Sequence, residues 1–531
     1  MGMSLRWLAS LGWLLIVPMT WLTSRGNPAG DPQARDFLAM YFFIWLIAVW
    51  LGPKAEAGYQ AETLRGSARL AAQPDLGDLL HRPKLIQQWG RLQPGAYVVG
   101  EWQKQLVVLT PKQTTEHVLL VGPSGTGKSS TQYMANAALA TGSIVVADPK
   151  GELWRMTSGY HRSALRFAPA EPEASASCNW IPLCTEKRMA DLLAEAVIQP
   201  GGGGGDRFFR QAAASVVSAL FLYVATETQT PTPATAYNLL VGGGKALMDA
   251  FTASQQPSCR LVGNTYRDND RTRDSVMAEV INKLGWLDDP AVARFTSASE
   301  QPPQFGRLLH EPMALYWVLH ERDVDRLRPL TALFFTLLLD ALTAPGVAPS
   351  AGAVPVTFLW DEFGSAGTIP GMATTIAVAR GRGIGLVLGL QSLAQLEEHY
   401  GPAAAKTIRA NGTTKLFLHG LEPEDAEYAS RLCGDATIRH EAVSRSEQSW
   451  GSGGGRTSYS EQTIGRRLFT GDEVRRLGRD ELLMVMGNRP PATLRKRVWN
   501  REPCPGQTRP LGPALAWVPP PPAPPRSARQ P

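Results

Sequence analysis

Short, largely apolar runs recur along this chain, and several stop on a glycine or a polar side chain. Residues 118–121 stop at Gly122, 143–147 at Asp148, 356–360 at Asp361 and Glu362, and 386–390 at Gln391. Runs of this length without polar alternation predict strands buried on both faces, the pattern of a parallel sheet covered by helices. Residues 313–319 and 415–418 predict further strands, 482–486 predict the last one, and 96–99 with 106–110 predict a hairpin. Between them, 128–140, 329–342 and 423–432 carry helical patterns, and Thr470 followed by Glu473 gives the capping signature of another helix. Alternating strands and helices make the core an α/β fold.

From Lys128 to Asp361 the chain runs far longer than one compact sheet needs between neighbouring strands. The excess, residues 185–303, holds the helix-forming stretches 190–198, 208–226 and 272–287. An all-α domain inserted into the α/β unit is therefore expected. At the amino terminus, residues 5–22 and 37–51 are two apolar stretches joined by a short loop with Gly and Pro. They predict a two-helix transmembrane anchor, with Arg6 before it and Lys54, Arg65 and Arg69 after it placing both ends in the cytoplasm. The serine- and glycine-rich residues 444–463 are expected to be a mobile loop, and the proline-rich end an extended tail. The organisation expected is thus 1–53 anchor, 54–184 and 304–500 the two parts of the nucleotide-binding domain, 185–303 the helical insertion, and 501–531 the tail.

Charge and cysteine content narrow the chemistry. The net charge of +6 is matched by Arg495, Lys496, Arg497, Arg501, Arg509, Arg526 and Arg529 against Glu502, so the remainder is neutral and does not advertise a polyanionic partner. Five cysteines without C-x-x-C spacing give neither a disulfide framework nor a zinc site. The chemistry lies instead in Gly122-Pro123-Ser124-Gly125-Thr126-Gly127-Lys128-Ser129-Ser130. Glycines at the first and sixth positions, then Lys and Ser, form the pattern in which backbone N–H groups enclose phosphates, the lysine reaches the β- and γ-phosphates and the hydroxyl holds Mg²⁺. The strand before it and the helix after it supply the context the pattern requires. Asp361 is expected to hold Mg²⁺ and Glu362 to polarise the attacking water, so ATP and Mg²⁺ are the expected cofactors. Gln391, at the end of another strand, can sense the γ-phosphate or its water. Asp148-Pro149-Lys150-Gly151-Glu152 follows a parallel strand and reads equally as rim chemistry or as a solvated turn.

Together these motifs resemble the coupling proteins of type IV secretion and conjugation systems. The likeness extends over Asp148-Pro-Lys-Gly-Glu, Cys178-Asn-Trp-Ile-Pro-Leu, Asp361-Glu-Phe-Gly, Gln391-Ser-Leu-Ala-Gln-Leu and Arg467-Leu-Phe-Thr-Gly-Asp-Glu-Val as well as the phosphate loop. Trp180 departs from it, standing where the family carries proline. The resemblance implies a RecA-like ATPase assembled as a homo-hexamer and anchored in the bacterial inner membrane. It also implies DNA with a relaxase, or effector proteins, as cargo, secretion-channel components as partners, and Arg382 as an arginine finger acting on the neighbouring subunit. Two alternatives remain at this stage: a cargo receptor that uses ATP only for switching, and a DNA pump of the FtsK kind.

Overall fold

The structure is a computed structural model that describes residues 66–81, 92–198, 207–297, 299, 301–344, 352–446 and 456–498. The expected transmembrane pair and the tail 501–531 lie outside the described residues.

Twelve strands among the described residues form one sheet. In chain order these are β1 (Leu80–His81), β2 (Tyr97–Trp102), β3 (Gln105–Leu109), β4 (Val118–Val121), β5 (Ser143–Asp148), β6 (Ala164–Phe167), β7 (Ala314–Val318), β8 (Val356–Trp360), β9 (Ile384–Leu390) and β10 (Thr414–Phe417), then β13 (Glu481–Met486) and β14 (Ala492–Arg495) after a hairpin. Their spatial order is β1-β3-β2-β14-β13-β10-β4-β9-β8-β5-β7-β6. From β10 to β6 all neighbours are parallel, and β13, β14, β2, β3 and β1 extend the sheet antiparallel. The parallel strands β4, β5, β7, β8 and β9 are buried along their whole length, as unbroken apolar runs require. The helix Arg328–Thr343 is mostly buried, with Phe334 stacked on Trp317 at 4.3 Å and Phe335 tilted over Trp360 at 4.0 Å between ring centres.

Between β6 and β7 every regular element is helical, from Lys187–Val197 to Pro290–Ser297. Arg207–Glu227 is its central helix, with Val217, Leu220, Phe221 and Val224 fully buried. It alone among the described residues is long and apolar enough to cross a membrane, but more than half of it is buried inside the protein, which marks a core helix. Trp180 sits at the base of the helical segment, buried against Phe221 and Trp286 at 6.1 and 6.2 Å. A proline there would forfeit these aromatic contacts, so the departure at this position is an interior packing choice.

Two expectations need correction. The strand at 481–486 is not the last: β14 follows and joins β13 to β2. Residues 444–446 and 456–463, the described part of the expected loop, are strand. They belong largely to a second compact unit, in which β11 (Asp435–Ser446) and β12 (Arg456–Arg467) pair antiparallel over their full length. Its Ile438 faces Ile464 across the ribbon, and both are about two-fifths exposed. Strand segments with few large apolar residues leave little apolar periodicity, and their serine-rich ends read as loop. The backbone of the same unit also bridges Ser67 to Ala436.

Candidate nucleotide site

Three neighbouring strands bring the predicted residues to one rim. Strand β4 ends in the phosphate loop, β9 beside it ends at Gln391, and β8 beyond ends at Asp361. The carboxylate strand is thus one place further from the loop than direct adjacency would put it, with the Gln391 strand between. The glycines are where close approach demands them. A Cβ on Gly122 would stand 2.8 Å from that of Leu418, and Gly125 and Gly127 hold φ of +79° and +88°. Positive φ alternating with ordinary backbone is how successive N–H groups come to face one anion. The helix beyond opens with a π-helical turn over Ser129–Tyr133, a local widening that recurs at functional sites. Tyr133 anchors that turn across the sheet, its hydroxyl 3.1 Å from the Trp360 carbonyl.

Two charged side chains at this rim, Lys128 and Asp361, are almost fully enclosed, while Glu362 and Gln391 are half-buried. Lys128 is 5% exposed and its Nζ donates to the Gly122 and Pro123 carbonyls at 2.6 and 3.2 Å. Burial lowers its pKa, and the negative charges of Asp361 and Glu362 oppose that shift. The Ser129 hydroxyl donates to Asp361 Oδ2, so the two expected Mg²⁺ ligands meet directly. Burial pushes the Asp361 carboxyl up to about 6, partly offset by the Ser129 hydrogen bond and the Lys128 charge and reinforced by Glu362 and Asp148. Gln391 Nε2 donates to Glu362 Oε1 at 3.2 Å, which joins a third strand end to the pair. Glu362 itself has φ +64°, a left-handed conformation that is costly for a residue with a Cβ and that the sequence did not announce.

The donor set fits the cofactors tested against it. A buried carboxylate facing a serine hydroxyl offers the hard oxygen ligands Mg²⁺ takes, and the glycine cradle with its lysine offers what a polyphosphate takes. Pro123, Ser124, Thr126 and Ser130 build the loop itself: Thr126 Oγ1 donates to the Pro123 carbonyl at 2.7 Å and Ser130 Oγ to that of Gly127 at 3.3 Å.

Arg382 is not brought to this rim. It ends the helix Met372–Gly381 and precedes β9, whereas Gln391 follows that strand. Seven strand residues of about 3.3 Å each separate the two ends, so it serves no phosphate of its own loop. Asp148 resolves towards structure: buried, it accepts from the Trp154 and Lys150 amides at 2.8 and 3.3 Å and so starts the helix Glu152–Thr157. Sequence reasoning missed Lys496, whose Nζ donates to the Thr126 carbonyl of the phosphate loop at 3.0 Å. In the sequence it is one of three consecutive basic residues at 495–497, and only its place one residue past a short strand could have singled it out.

Comparison with known proteins bears on the whole of this arrangement. The chain is 28% identical over 465 residues to the conjugal transfer protein TraG of Escherichia coli, covering 80% of this chain and 73% of that one. It is 25% identical over 400 residues to the protein VirD4 of Rhizobium radiobacter, covering 72% and 56%. The unbound bacterial conjugative coupling protein TrwBdeltaN70 superposes with a TM-score of 0.62 at 15% identity, covering 85% of this chain and 97% of that one, and so shares the fold. TrwB has also been solved with ADP and Mg²⁺, and that structure superposes with a TM-score of 0.60 at 16% identity over 82% of this chain and 94% of that one. Residues 71–510 match the type IV secretory system conjugative DNA transfer family, and the chain belongs to that family.

Proposed function

We propose that the protein is the coupling ATPase of a conjugative or type IV secretion system. It binds ATP with Mg²⁺, hydrolyses it, and uses the cycle to bring a DNA–relaxase complex or effector proteins to a secretion channel. The observation that carries this reading is the meeting of Lys128, Ser129, Asp361, Glu362 and Gln391 on one sheet rim.

Each side chain then has a physical task. Lys128 exchanges its two loop carbonyls for phosphate oxygens, a stronger charge-assisted partner. Ser129 and Asp361 hold Mg²⁺, which when bound neutralises charge on the phosphate oxygens. Glu362 accepts a proton from the attacking water, and Gln391 fixes the direction of that carboxylate. Arg382, on the opposite rim, acts on the nucleotide of the next subunit in a homo-hexamer. The two amino-terminal apolar stretches anchor the ring in the inner membrane with the ATPase in the cytoplasm, and the helical segment reads the cargo.

Hydrolysis measured with and without single-stranded DNA tests this reading. A motor on DNA is accelerated by it; hydrolysis indifferent to DNA but raised by cargo protein moves the assignment to a gating receptor. The intersubunit role is tested separately by mixing inactive Arg382→Ala and Lys128→Ala chains. Recovered activity is expected, because some interfaces then pair an intact loop with an intact arginine.

A further inference from the structure

We propose that Lys496, 370 residues from the loop in sequence, is a positioning residue of the nucleotide site. It fixes the phosphate loop in its anion-receiving shape from behind, an inference that rests on the nucleotide-site reading above.

The backbone aims it. Arg495 and Arg497 both pair with Glu101 on β2, and in an extended chain residues two apart share a face. The residue between them therefore points the other way. The Lys496 amide donates to the Asp480 carbonyl at 2.7 Å, which closes the segment against the turn before β13. With the segment held by two flanking ion pairs and one backbone hydrogen bond, the ammonium is delivered, 5% exposed, to the Thr126 carbonyl. Burial lowers its pKa and Asp480 opposes that, and its charge in turn helps to lower the pKa of neighbouring His419.

The consequence follows from peptide planarity. In a trans peptide the C=O and the next N–H point in opposite directions, and the described residues contain no cis bond. Holding the Thr126 carbonyl towards Lys496 turns the Gly127 N–H away from it, into the concavity that Gly125 and Gly127 open by their positive φ. The same ammonium places a positive charge behind the loop. Lys496 thus acts through the loop's backbone and has no need to touch the nucleotide.

The test is ADP·Mg²⁺ affinity of the full chain, by fluorescence titration, in wild type, K496M, K496R and K128A. A hydrogen bond to a charged group is worth about 1.5–3 kcal/mol, so K496M is expected to raise Kd about tenfold or more. K496R, which keeps charge and donor, is expected to stay within about threefold. KM for ATP should rise with kcat little changed, since the contact is present in ground and transition states alike. Wild-type affinity in folded K496M overturns the proposal, as does a lowered melting temperature with unchanged Kd. Should K496M fail to fold, K496Q takes its place under the same criteria. K128A separates the two levels: wild-type affinity there overturns the nucleotide-site reading itself, whereas loss in K128A with none in K496M overturns only the role of Lys496.

Discussion

The nucleotide rim and the helical segment between β6 and β7 treat charge in opposite ways. On the rim, Lys128 and Asp361 are both about 5% exposed, and each rests on neutral groups, backbone carbonyls for one and a serine hydroxyl for the other. In the helical segment the charges are matched among themselves: Lys187 with Asp191, Arg267 with Asp249, and Arg273 with Asp270 and Asp274. Burying charges that hydrogen-bond only to neutral groups is expensive even where, as for Lys128 and Asp361, each feels the other's charge, and a protein retains the arrangement where a charged ligand completes it. Among the described residues of the helical segment the buried charge, Arg273, is paired, and the mixed signs do not make a phosphate-binding face. If it reads cargo, protein surfaces are the better match.

Several substitutions break or sharpen this contrast. Lys128→Ala removes the cation that a polyphosphate needs and should abolish measurable nucleotide binding in a fluorescence titration. Comparable affinity in wild type and variant would leave the rim without its main feature. Asp361→Asn should abolish Mg²⁺-dependent binding while making the nucleotide-free protein more stable at pH 7. The sign follows from the raised carboxyl: its charged form is disfavoured in the folded state, so this residue lowers stability as pH rises from the unfolded carboxylate value through about 6. Removing the charge should recover about 1–3 kcal/mol in denaturant melts at pH 7 and nothing below pH 4. By the same titration, Mg²⁺ affinity of the wild type should fall as pH drops through about 6, because a protonated carboxyl ligates poorly. The smallest effect belongs to the helical segment. Arg267→Ala breaks a half-exposed pair and should cost at most about 1 kcal/mol, with nucleotide affinity unchanged.

The rim was legible in the sequence because parallel strands and phosphate loops both leave local signatures. The apolar runs at Val118, Val356 and Ile384 needed only to be read, and the residues ending them proved to share an edge. What escaped depended on distant pairing. Strand β14 has four residues, and besides its hairpin with β13 its meaning comes from β2, far away in sequence. Lys496 went unread for the same reason; the ribbon of β11 and β12 is a local pairing and was hidden instead by its Ser- and Gly-rich composition. The position of the helical segment was also only half legible. Its helices were visible, but it leaves and re-enters the sheet at β6 and β7, the edge away from the phosphate loop. Coupling between that segment and the phosphate loop would then have to cross β5, β8 and β9 instead of acting beside the loop.

The central claim is that the rim is a two-part hydrolytic site, with Lys128 holding phosphate and Glu362 serving the water. Glu362→Gln tests both halves in one protein by measuring ATP affinity and single-turnover hydrolysis together. Unchanged affinity with hydrolysis slowed by about 10²-fold or more is the expected result. Hydrolysis at the wild-type rate with the same affinity would contradict it.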